Sequence, residues 1–136
     1  MTNDGIRNTL QIEGREMSTF INLTGIIPFT APDGARVQQI AGRGEGMMSH
    51  SLAVISHPPG TESTDHHHTV ADEVYLVWSG RGRVRVDGET RSVGPGDAVT
   101  IRPGQRHKLW CDGPEDLVLI VSCAPAFQED EVAWDE

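Results

Sequence analysis

The sequence predicts an all-β domain, a sandwich or a barrel, and three observations carry that prediction. Glycine and proline are abundant, 15 and 8 in 136 residues, and most sit in turn-forming clusters. The large apolar residues fall in short runs alternating with polar ones, the period of a strand with one buried face. No segment holds the apolar period of an amphipathic helix, which argues against a parallel α/β sheet. With 136 residues, the chain makes one domain.

In chain order, residues 1–18 are polar and glycine-containing and read as an N-terminal arm that gains order by packing on something else. Strands are expected at 20–23, 36–40, 49–56, 73–79, 82–86, 89–93, 98–101, 107–111 and 117–123. Turn sequences separate them: Pro32-Asp33-Gly34, Pro58-Pro59-Gly60, Gly94-Pro95-Gly96, Pro103-Gly104 and Asp112-Gly113-Pro114. Asp87-Gly88 predicts a tight primed hairpin, because Arg83, Val84, Arg85 and Val86 alternate in front of it. The same alternation turns Arg81, Arg83 and Arg85 to solvent. Residues 19–127 form the barrel. Residues 128–136, with Glu129, Asp130, Glu131, Asp135 and Glu136, read as a peripheral acidic tail.

The charge balance excludes some partners. Twenty acids against 11 bases give a net charge of -9, with no basic run, so nucleic acid is not expected as a partner. The longest apolar runs fall far short of the ~20 residues of a membrane-spanning helix, so no membrane partner is expected either. Residues 1–14 lack the basic start and apolar core of a secretory signal, which leaves the cytoplasm as the expected location. Cys111 and Cys123 are too few for a disulfide framework; reduced thiols are expected, with a single bridge as the alternative. Gly42, Gly44 and Gly46 lack the Lys-Ser/Thr that a phosphate loop requires and read as a loop.

The chemistry concentrates in histidines. On an extended segment His66 and His68 share a face while His67 points away. Glu73 opens the next apolar strand and His107 another. If neighbouring strands converge, three imidazoles and one carboxylate make a site for one divalent transition metal, Fe, Mn, Ni, Co, Cu or Zn. Two positions on an octahedral ion would remain open for water, dioxygen or a chelating substrate. Asp72 faces away from Glu73.

The spacing Gly60, five residues, His66, one residue, His68, four residues, Glu73, six residues, Gly80 resembles the first motif of the cupin superfamily. Gly96-Asp97, Pro103-Gly104 and His107 resemble its second, with two departures: Arg102 stands where a Pro is usual and Cys111 where an Asn is common. The resemblance implies a small jelly-roll β-barrel with N- and C-terminal extensions, metal ligands His66, His68, Glu73 and His107, and a homodimer joined through strands or arms near the chain ends.

Counting alternation from Glu73 places Tyr75 and Val77 on the ligand face and Trp78 outside; from His107, Leu109 and Cys111 point inward and Trp110 outward. Tyr75 is the catalytic candidate, a hydrogen-bond donor to substrate, with a packed core tyrosine as the alternative. Cys111 is either a pocket thiol or a small apolar filler. His50 and His57 read as structural or supporting residues. A metal-binding cupin acting on a small oxygen-rich molecule is the expectation, a dioxygenase first. A redox-neutral isomerase, epimerase, cyclase or lyase comes second, and a non-catalytic small-molecule binder third.

Overall fold

A computed structural model of the chain describes residues 9–12 and 15–136. The remainder of the expected N-terminal arm, residues 1–8 and 13–14, lies outside the described residues. In order come β1 (Thr9–Ile12), β2 (Arg15–Ser18), β3 (Phe29–Thr30), β4 (Arg36–Ala41), β5 (Ser51–His57), β6 (His66–His68), β7 (Asp72–Ser79), β8 (Gly82–Val86), β9 (Glu89–Val93), β10 (Ala98–Ile101), β11 (His107–Cys111), β12 (Leu117–Ala124) and β13 (Val132–Trp134). Single 3-10 turns occur at Leu23–Gly25, Arg43–Glu45 and Glu129–Glu131, and the described residues contain no α-helix. None of them is thus long and apolar enough to cross a membrane as a helix.

The strands form a six-stranded sheet, β10-β7-β12-β5-β4-β3, a five-stranded sheet, β13-β6-β11-β8-β9, and the β1-β2 hairpin, all antiparallel. This is the expected jelly roll. Its core follows from period-two alternation: Leu117, Leu119, Val121 and Cys123 of β12 and Glu73, Tyr75 and Val77 of β7 are buried, their neighbours less so. Val84 and Leu109 pack against them from the facing sheet, and Ile101 from β10 beside β7.

Two glycines are fixed by geometry. Asp87 and Gly88 both take positive φ, 48° and 85°, giving the expected primed turn between Val86 and Glu89. Gly80, at the end of the first motif, combines φ 84° with so close an approach to the Asp116 carbonyl that an added Cβ would overlap it.

The elements depart from expectation at the chain ends. Residues 20–23 are not a strand: the Asn22 side chain accepts from Thr24 N at 2.9 Å and caps the Leu23–Gly25 turn, and Phe20 is 78% exposed. Residues 9–12 and 15–18 of the arm pair as a hairpin. The acidic tail is not peripheral, because β13 pairs along β6 with Val132 opposite His68, Ala133 opposite His67 and Trp134 opposite His66. Cys111 and Cys123 are both free and buried.

Candidate metal centre

Each candidate ligand sits near the end of a strand, where pairing fixes its backbone. His66 and His68 lie on β6, and His66 pairs directly with His107, which opens β11. Glu73, near the start of β7, reaches across from the other sheet. Three imidazoles therefore come from one sheet and the carboxylate from its partner. Their ligand atoms all lie within 4.8 Å of one another. His107 and His68 are 0% and 2% exposed, and Glu73 is buried.

Hydrogen bonds set the orientation of each ring. The Nδ1 of His66 lies 2.7 Å from the Thr64 carbonyl and that of His107 lies 2.9 Å from the Gln105 carbonyl. A carbonyl only accepts, so both Nδ1 atoms carry the proton and, in the neutral rings, both Nε2 atoms offer lone pairs inward. The Nδ1 of His68 lies 2.6 Å from Glu131 Oε2, a carboxylate that also accepts from the Val70 and Ala71 amides at 2.9 Å. Each imidazole is thus held on its outer side and open on its inner side.

The inner atoms need a cation. Glu73 Oε1 is 2.9 Å from His107 Nε2 and 3.3 Å from His68 Nε2. Acceptor atoms packed this closely repel unless a proton or a metal lies between them. Burial disfavours a charged His68, but its bonds to Glu73 and Glu131 outweigh that and raise its pKa to about 9. Burial would likewise raise Glu73; the two histidines against it instead hold its carboxyl well below the usual range. Burial and the neighbouring His107 keep His66 below its ordinary value. One fixed carboxylate, three oriented imidazoles and a buried setting fit a divalent transition metal.

The remaining expectations separate cleanly. His67 faces away and bonds Asp135 Oδ2 at 2.9 Å, and Asp72 is exposed. Tyr75 lines the cavity beside the cluster with its ring 6.0 Å from that of His107. Burial, then the charge and hydrogen bond of Glu73, push its phenol well above the ordinary value, so it keeps its proton. Val77 is a core residue; Trp78 is exposed and Trp110 lies under Arg83 and Arg85 on the outer face. Cys111 is a buried filler whose thiol donates to the Glu115 carbonyl at 3.3 Å. His50 is exposed beside Ser49.

Three contributors escaped the sequence reading: Cys123 donates to Glu73 Oε2 at 3.4 Å, Glu131 holds His68, and Trp134 lies with its ring 5.5 Å from His66. His57, read as a structural or supporting residue, lines the cavity. Cys123 was within reach, because the alternation of Leu117, Leu119 and Val121 ends on it. Glu131 and Trp134 carried no signal beyond one aromatic in an acidic run.

The cluster opens into a cavity of about 520 Å³ between the sheets, walled mainly by apolar side chains such as Ala53, Ile55, Leu119 and Val121. A chain of this architecture has known relatives. An uncharacterized protein of Methanocaldococcus jannaschii, MJ1618, is 27% identical over 108 residues, covering 78% of this chain and 86% of its own. The tetracenomycin polyketide synthase protein TcmJ of Streptomyces glaucescens is 27% identical over 127 residues, 91% of this chain and 85% of its own. Among solved structures, an RmlC-like cupin from Shewanella frigidimarina superposes with a TM-score of 0.73 at 21% identity, covering 90% of this chain and 97% of the other. The nucleoside dehydratase Pac13 superposes with a TM-score of 0.71 at 19% identity, covering 87% and 91%. Residues 53–123 match the Cupin domain family, and the span holds both motifs and all four candidate ligands, so the chain belongs to the cupins.

Proposed function

We propose that the protein is a metal-dependent enzyme that moves protons on a small oxygen-bearing molecule without net oxidation, as a lyase, dehydratase, isomerase or cyclase does. The carrying observation is Tyr75: a buried hydroxyl that stays protonated lies beside the ligand cluster, inside the cavity a substrate would fill. A bound divalent ion supplies Lewis-acid polarisation of a substrate oxygen. Glu73 is committed as a ligand, and Cys123 donates to its Oε2, which leaves it poorly placed for base work. The phenol O–H of Tyr75, turned from Glu73 to a substrate, is the group placed to donate a hydrogen bond to an oxygen that gains negative charge. The apolar walls exclude water and strengthen that donation. The dehydratase activity of Pac13 and the polyketide setting of TcmJ support this class.

An oxygenase is the second reading, favoured by the donor set, since three imidazoles and one carboxylate also suit Fe or Mn. Metal-loaded protein is to be assayed with hydroxylated carbonyl substrates under strict anaerobiosis and in air. Turnover without oxygen is expected; turnover only with stoichiometric oxygen uptake would establish the oxygenase instead. We also propose a homodimer, supported by an apolar surface on the segment before β3 that includes Phe20 and Ile27, the latter 89% exposed.

A further inference from the structure

The cavity has a second polar end. His57 closes β5, is 3% exposed, and lines the same cavity as His66, His68 and Glu73. Its Nδ1 is sealed from solvent without a hydrogen-bond partner among the described residues. A buried polar atom is ordinarily paired, so an unpaired one calls for an explanation. Burial lowers the His57 pKa, against the charge of Asp33, so the ring is neutral near neutral pH and offers one donor and one acceptor. Asp33 lines the same cavity from the turn between β3 and β4, held there as its Oδ1 accepts from the Ala35 amide at 3.0 Å.

Strand register sets how far this end lies from the ligand cluster. Ser51, at the start of β5, pairs with Cys123, which pairs with Glu73. His57 is at the other end of that strand, at most ~20 Å along it at ~3.3 Å per residue, and Asp33 is near enough to Tyr75 to act on its phenol, so the gap through space is shorter. Between the ends, the β5 wall is Ala53 and Ile55.

We propose that His57 and Asp33 form a second recognition point, and that the substrate is an elongated, mainly apolar molecule with an oxygen group at one end for the metal and an uncharged hydroxyl at the other. This rests on the metal-enzyme reading above. With Nδ1 enclosed, the ring meets a ligand through Nε2: a hydroxyl can donate to the Asp33 carboxylate while accepting from Nε2–H, or donate to the Nε2 lone pair. A carboxylate or phosphate would instead meet the negative charge of Asp33.

The test uses Co2+-loaded protein and alkyl hydroxamates of graded chain length, ending in a methyl, a hydroxyl or a carboxylate. The hydroxamate head is a metal chelator, and its binding is read from the cobalt absorption. We expect the hydroxyl to improve affinity about tenfold over the methyl within a narrow range of lengths, the carboxylate to give no gain, and His57→Phe to erase the hydroxyl advantage while methyl-ended probes bind as before. A hydroxyl that gains nothing at any length, or a gain that survives His57→Phe, overturns the proposal. The length series in the unmutated protein decides the matter even if the variant misfolds. Hydroxamates that leave the cobalt spectrum unchanged at every length would overturn the metal-site reading, and this inference with it.

Discussion

The two ends of the cavity treat histidine in opposite ways. At the metal end every Nδ1 is bonded, to Thr64, Glu131 or Gln105, so each ring is held before any ion arrives. At the far end the Nδ1 of His57 has no partner. A fully bonded imidazole is a preorganised ligand whose free nitrogen has one permitted direction. An unbonded one leaves its ring without that fixed orientation, at a standing cost to stability of ~1-3 kcal/mol.

The largest effect that would break this contrast lies in the ligands. His66→Ala, His68→Ala and His107→Ala should each weaken metal binding by more than ~100-fold, beyond the loss expected from an outer-shell change, whereas His67→Ala should not. Metal per chain after dialysis checks this; equal loss for all four would mean that β6 does not present alternate faces. Glu73→Gln should bind metal more weakly with the fold kept, and Asp72→Asn should bind it as the parent does.

Next comes the outer shell. Glu131→Gln should lower metal affinity ~10-100-fold in chelator competition, with an unchanged circular dichroism spectrum. An unaltered affinity would show that Glu131 merely ties the Val70 and Ala71 amides.

pH should act more gently. The metal-free His68 holds a proton up to about pH 9, and an incoming ion must displace it. Affinity should therefore rise by about tenfold per pH unit between about pH 7 and about pH 9 and flatten above, with about one proton released per ion at neutral pH. Glu73, already ionised there, contributes none. Titration calorimetry in buffers of different ionisation enthalpy counts the protons.

The smallest effect sharpens the contrast from the other side. His57→Phe should leave the metal-free protein as stable or about 1 kcal/mol more stable, because it removes an unpaired polar atom from an apolar wall. A clear loss in thermal unfolding would mean that the imidazole is structural.

The strands of the barrel core and the four ligands were legible because two local rules suffice for them. Alternation counted from Glu73 and His107 fixes which side of β7 and β11 faces inward, and the spacing from Gly60 to Gly80 fixes which residues meet. The chain ends were not legible. Residues 20–23 are as apolar as a short strand, but the side-chain bond of Asn22 to Thr24 competes with pairing. The acidic run at 129–136 looks solvated until β13 is laid along β6, a contact more than sixty residues distant in sequence. His57 was legible as a histidine beside a strand, but its unpaired nitrogen depends on how the folded chain packs around it, which no local pattern shows.

Because the imidazoles hang from one sheet and Glu73 from the other, an ion held by all four would staple the two layers together. The sheets could not slide or part without first surrendering it, so metal loading should slow unfolding as well as shift its equilibrium. A chelator would then act as a solvent for the staple, converting a long-lived protein into a short-lived one, and the half-life under protease would report occupancy with no knowledge of the substrate.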